Sequence, residues 1–123
     1  MSTRSLIAAI QPDGTYLAIY CHSNGYPEYV GKLLTTHYTD PTKIAALMAL
    51  GDLSSLGAEI GEQHEFGRPQ RGICTAYGRD RAEEDTGAVP SPNFDSLGKI
   101  ADGCGAEWLY VFDGKTWQTS EVE

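Results

Sequence analysis

YCHSNGYPEYVG, residues 20–31, is the stretch on which the reading of the fold turns. The residues leading into it alternate with a period of two. Leu17, Ile19 and Cys21 fall on one face, and Tyr16, Tyr20 and His22 on the other, as in a strand. The residues leading out of it keep a helical spacing, with Val30, Leu33, Leu34, His37 and Tyr38 on one broad face. The stretch is therefore a strand end, a turn at Asn24-Gly25, and a helix opened by Pro27, whose missing N–H is no loss at a first helical position. This local account leaves over His22, Tyr26 and Tyr29, which it gathers at one edge of a sheet. A histidine at a strand terminus can act as acid, base or ligand near neutral pH.

Working outward, Ser5 to Ile10 is apolar and meets Tyr16 to His22 across QPDGT, which reads as a hairpin with Asp13-Gly14 supplying the positive backbone angles of a tight turn. The first helix should end near Thr39. Asp40-Pro41 caps and starts a second, Ile44, Leu47 and Met48 form its stripe, and Gly51 closes it. DLSSLG reads as a helical turn and GEQHEFGRPQRG as a polar surface loop. ICTAYG (73–78) reads as a strand, and RDRAEEDTGAVP as a charged, turn-rich loop. Ser91-Pro92 begins a further helix with Phe94, Leu97 and Ile100 inward and Gly103 at its end. Strands over Glu107–Phe112 and Lys115–Val122 flank a DGK turn. Helices inserted between hairpins most simply cover one face of one sheet. The expectation is an α+β fold in one domain, residues 1–123, with a single antiparallel sheet of about five strands and helices packed on one face.

That architecture predicts an aromatic second face: Tyr16, Tyr20 and His22, then Tyr77, then Trp108, Tyr110 and Phe112, then Trp117. Each large ring covers about 150–250 Å², and monomers rarely expose so much apolar surface. Residues 52–70, a second copy of the chain in a homodimer, another protein, or a ligand should cover it.

Composition narrows the function. Of 123 residues 41% are hydrophobic and 21% charged, ordinary for a globular domain. No apolar run suggests a membrane span, and the opening apolar stretch is too short for a secretory signal. Cys21, Cys74 and Cys104 have no paired spacing, which suits free thiols in a reducing, cytoplasmic setting. The net charge of −8 is unevenly spread: residues 1–81 carry seven basic and eight acidic groups, residues 82–123 two basic and nine acidic. Such a surface repels nucleic-acid phosphates; it reads either as a solvated face that aids solubility or as one that suits a basic groove on a protein partner.

A second cluster of chemistry lies in CTAYGRDR, where Arg79 and Arg81 bracket Asp80 beside Tyr77. Arginines at a strand exit can hold a phosphate or carboxylate through two hydrogen bonds, or can pin the acidic loop that follows. If the strands of His22 and Tyr77 are neighbours, Tyr20, His22, Tyr26, Tyr29, Tyr77, Arg79, Asp80 and Arg81 form a candidate ligand-binding set. The cysteines and His22 lack zinc-ligand spacing. No phosphate loop, dinucleotide fingerprint or serine-nucleophile elbow is present. The sequence assigns no catalytic residue, metal or cofactor.

The blocks MSTRS, YCHxxGYPEYVG, DPTKIAALMALGDLSSLG, CTAYGRDR and LYVFDGKTW, in this order, resemble a family of small uncharacterised proteins encoded by bacteriophages and mobile elements. The resemblance implies a setting, the host bacterial cytoplasm, and an accessory role on host machinery. Binding of a host protein, including inhibition of a defence system such as CRISPR, is the first expectation. A nucleotide or phosphorylated-ligand site, or a small enzyme, using His22 with Arg79 and Arg81 is the alternative. Thus partners should be a host protein or a second copy, not nucleic acid or membrane.

Overall fold

The computed structural model describes residues 2–122; Met1, which opens the MSTRS block, and Glu123 lie outside them. In chain order the elements are β1 (Ser5–Ile10), β2 (Tyr16–Cys21), a π-helical turn (Pro27–Gly31) running into α1 (Lys32–His37), α2 (Pro41–Leu50), β3 (Leu53–Ser55), β4 (Thr75–Ala76), α3 (Tyr77–Arg81), β5 (Val89–Ser91), α4 (Phe94–Gly103), β6 (Trp108–Phe112) and β7 (Trp117–Glu121). The fold is α+β. The sheet has seven strands in the order β4-β3-β2-β1-β6-β7, with β5 also paired to β2. It is mixed: β1 pairs in parallel with β6, and β2 with β3, while the remaining pairs are antiparallel. No helix among the described residues is long and apolar enough to cross a membrane.

This corrects the expected five-stranded antiparallel sheet in number and in pairing. Both hairpins form, but their inner strands β1 and β6 lie side by side, and β3 and β5 add to the free edge of β2. DLSSLG holds strand β3 instead of a helical turn. ICTAYG gives only the two residues of β4 before Tyr77 opens α3.

The local signals around α2 hold. Asp40 Oδ1 accepts from Thr42 N at 2.8 Å and caps α2, Pro41 follows, and Gly51 ends it at φ +83. The expected helix start at Ser91-Pro92 is corrected: Ser91 ends β5, and α4 starts at Phe94 with Asn93 as its cap, accepting from Ser96 N at 2.9 Å. In the β1–β2 turn only Gly14 takes a positive φ. Asp13 instead accepts from the Thr15 amide and hydroxyl.

Helices lie on both faces, which corrects the single helical layer. One face packs Ile7, Ala9, Ile19 and Cys21 under Val30, Leu34 and Tyr38 and under Ile44, Leu47 and Met48 of α2. The other packs Leu6, Ala8, Ala18, Leu109 and Val111 under Leu97 and Ala101 of α4. Phe94, expected inward, is 48% exposed. The aromatic second face therefore does not exist. Tyr110 and Phe112 are buried on the α1–α2 side with Trp108 and Trp117 against them. Their polar tips are satisfied there: Tyr110 OH donates to Gly25 O at 2.7 Å, and Trp117 Nε1 to Tyr38 O at 2.8 Å. A fully buried large side chain contributes roughly 1.5–3 kcal/mol, so Tyr110 and Phe112 are principal core residues.

Candidate functional site

The register of the central strands brings three charged or polar side chains into one row. Ser5 lies opposite Cys21 on one side and Trp108 on the other. One step further out, Arg4 stands between His22 and Glu107, and the Glu107 amide donates to Arg4 O at 2.8 Å. Residues two apart share a face, so this row continues the face of Leu6, Tyr20 and Leu109, which α4 covers. The row lies past the end of that helix. Arg4, His22 and Glu107 line a pocket of about 460 Å³ there, with Ser2 and Gly105.

His22 is held from two directions. Its amide donates to Leu53 O at 2.9 Å, and its Nδ1 lies 2.7 Å from Tyr20 OH. With the phenol as donor, the neutral imidazole carries its proton on Nε2, an assignment made from the bonding pattern. Burial raises the Tyr20 phenol, and Arg4 counters it. Tyr20 N donates to Asp52 Oδ1 at 2.9 Å, at the point along β2 where β5 has ended and β3 begins. Burial raises the Asp52 carboxyl. Cys104, half-buried at the end of α4, is raised by burial and is near enough to feel both Asp52 and Arg4. Arg4, Asp52 and Glu107 were missed as site residues. Arg4 precedes the apolar run SLIAAI, and only the parallel pairing of β1 with β6 sets it beside Glu107.

The second sequence cluster is built for structure. Arg79 uses all five of its N–H donors: Nε and Nη2 on Asp80, Nη1 on Ile60 O and Gly61 O, and Nη2 also on Cys74 O. Asp80, whose side chain has no exposure, also accepts from Ala76 N at 2.8 Å and His64 N at 3.1 Å. Burial pushes the Asp80 carboxyl up, but the Arg79 and amide hydrogen bonds and the Arg79 charge hold it below the usual range. Arg81 lies over Phe66, 4.6 Å from its centroid, and over Tyr77 at 5.3 Å, and pairs with Glu83. Tyr26 and Tyr29 form a ring pair of their own, 38% and 39% exposed.

The two clusters were expected to meet if their strands were neighbours. Strand β3 lies between β2 and β4, and each step across a sheet is about 4.8 Å. The structure thus joins Tyr20 to His22 and Tyr77 to Arg81, and gives His22 a different arginine, Arg4. Among the described residues no three His, Cys, Asp or Glu side chains are grouped to hold a metal ion.

Compared with known proteins, the chain matches no family model, no curated protein and no solved structure.

Proposed function

We propose that this chain is an accessory protein of phage or mobile-element type that binds a host protein, inhibition of a defence system such as CRISPR being one such role. The observation that carries the reading is the placement of charge. Every acidic residue from Glu83 to Glu121 is exposed, and only Lys99 and Lys115 oppose them. On α4 the outward residues are Asp95, Lys99 and Asp102, while Leu97 and Ala101 pack inward. A surface of one sign speeds encounter with a partner of the other and selects against wrong partners. Val89 of β5 and Phe94 of α4, 46% and 48% exposed, lie within the same acidic third and supply the apolar anchors that interface centres use. Tyr110 and Phe112 of β6 take no part, being buried. Two copies meeting through this face would set like charges against each other, so a homodimer needs another surface.

The alternative ligand site at His22 with Arg79 and Arg81 is disfavoured, because every Arg79 donor already has a protein acceptor. The test is retention of host protein by the immobilised chain, compared with Phe94→Ser and with Asp95→Lys/Asp102→Lys. One dominant host protein should be held at low salt and released near about 0.5 M, where screening shortens to a few ångströms. Both variants should lose it. No retention at low salt, or retention indifferent to both variants, overturns the proposal.

A further inference from the structure

Beyond protein binding, we propose that the pocket at the end of β1, β2 and β6 holds a small anionic ligand, with Arg4 and His22 on its anionic group and Glu107 on an adjacent hydroxyl. The ligand chemistry is that of a phosphorylated sugar or nucleotide.

Four observations carry it. First, Arg4 and Glu107 line one pocket, and among the described residues neither has an ion-pair partner. Both are exposed, so the guanidinium and the carboxylate are open to a ligand. Second, the Arg4 guanidinium lies close against the Gly105 backbone. Gly105 has φ +74, which favours glycine, and a Cβ there would stand 2.8 Å from Arg4 Nη1. Third, His22 is oriented in advance by Tyr20 OH and by Leu53 O, which leaves Nε2 without a protein partner among the described residues. Sites held by such supporting contacts lose less on binding. Fourth, the pocket volume of about 460 Å³ lies within the range of small-molecule sites.

The mixed lining sets the ligand class. A bare anion gains from Arg4 but is opposed by Glu107 and by the chain's net charge. A ligand with a hydroxyl beside its phosphate turns the exposed Glu107 into an acceptor, and a site that hydrogen-bonds a ligand hydroxyl favours ligands that carry it over analogues that lack it.

The experiment is a chemical-shift titration of the ¹⁵N-labelled full chain with inorganic phosphate and with ribose 5-phosphate, at fixed ionic strength. Saturable shifts should centre on Arg4, His22, Gly105 and Glu107, with ribose 5-phosphate the tighter. Arg4→Gln should weaken both by about tenfold or more, the scale of a lost hydrogen bond to a charged group. Glu107→Gln should tighten inorganic phosphate and narrow the preference for ribose 5-phosphate. The competing role for Arg4 is to neutralise the C-terminal carbonyls of α4. That role predicts a less stable Arg4→Gln protein and no saturable response in the parent. If Arg4→Gln fails to fold, His22→Gln must show the same loss of affinity. Shifts that do not saturate, shifts spread over the surface, or variants that titrate like the parent overturn the proposal. Equal affinity for the two probes overturns the role of Glu107.

Discussion

Replacing Asp80 tests whether the Arg79–Asp80 cluster holds the structure together. The carboxylate is fully buried and accepts four hydrogen bonds, from Ala76 N, His64 N, Arg79 Nε and Arg79 Nη2, at 2.8, 3.1, 3.0 and 3.2 Å. Asp80→Ala strands two amides and leaves a guanidinium without its counter-charge. Removing one partner of a buried pair costs about 3–5 kcal/mol. Because the Arg79 side chain keeps 17% exposure and can recruit water, the expected loss is about 3 kcal/mol. Asp80→Asn keeps one acceptor oxygen and should lose about 1–3 kcal/mol. The sign of the pH dependence follows from the lowered carboxyl. Its contribution is fully present above the unfolded value of about 3.9 and disappears as pH falls through the lower folded value. The parent should therefore exceed Asp80→Asn at pH 7 and approach it in acid. Urea unfolding followed by Trp108 and Trp117 fluorescence measures both. A loss below about 1 kcal/mol for Asp80→Ala, far under the cost of breaking a buried pair, refutes the reasoning. So does a gap between parent and Asp80→Asn that ignores pH.

Three further predictions rest on other contacts. Gly51→Ala should destabilise by about 1–3 kcal/mol in the same unfolding assay, because Gly51 holds a backbone conformation reserved for glycine and a Cβ there would collide with Thr86 O. Among the three cysteines, Cys104 should react first with a thiol reagent at pH 8, read by intact mass. Cys21 and Cys74 are buried, and burial pushes the Cys21 thiol up to about 12. Burial also raises Cys74, Tyr38 and Tyr110. Groups with raised folded values stabilise below their unfolded values and lose that contribution as pH rises, so the melting temperature should fall progressively above about pH 9. A melting temperature unchanged to pH 11 would contradict the burial of these groups.

Much of the local structure was legible. Asp40-Pro41 and Gly51 act within a turn of backbone, where the residue type alone satisfies the free amides or adopts the needed φ. The face of Leu17, Ile19 and Cys21 was legible for the same reason. One available signal went unused. SLIAAI and WLYVF are apolar in both phases, as befits strands covered on both faces and paired in parallel. Read as alternating, WLYVF sent its rings to an open surface. The Arg79–Asp80 cluster was legible as a charged motif but not as a structural clamp, because its acceptors Ile60 O, Gly61 O and the His64 amide come from a loop with no periodic pattern.

Sequence alone therefore determined the two hairpins, the helices α1, α2 and α4, and the acidic character of the last third, since each depends on residues near one another in the chain, but not β3, α3 or β5. Strand order, the burial of the β6 rings and the row His22–Arg4–Glu107 were decided only by tertiary pairing. The reason is physical: turn chemistry reports how a chain bends, while the side-by-side contact of β1 with β6 joins segments about a hundred residues apart, and no local preference encodes which edge a strand will choose.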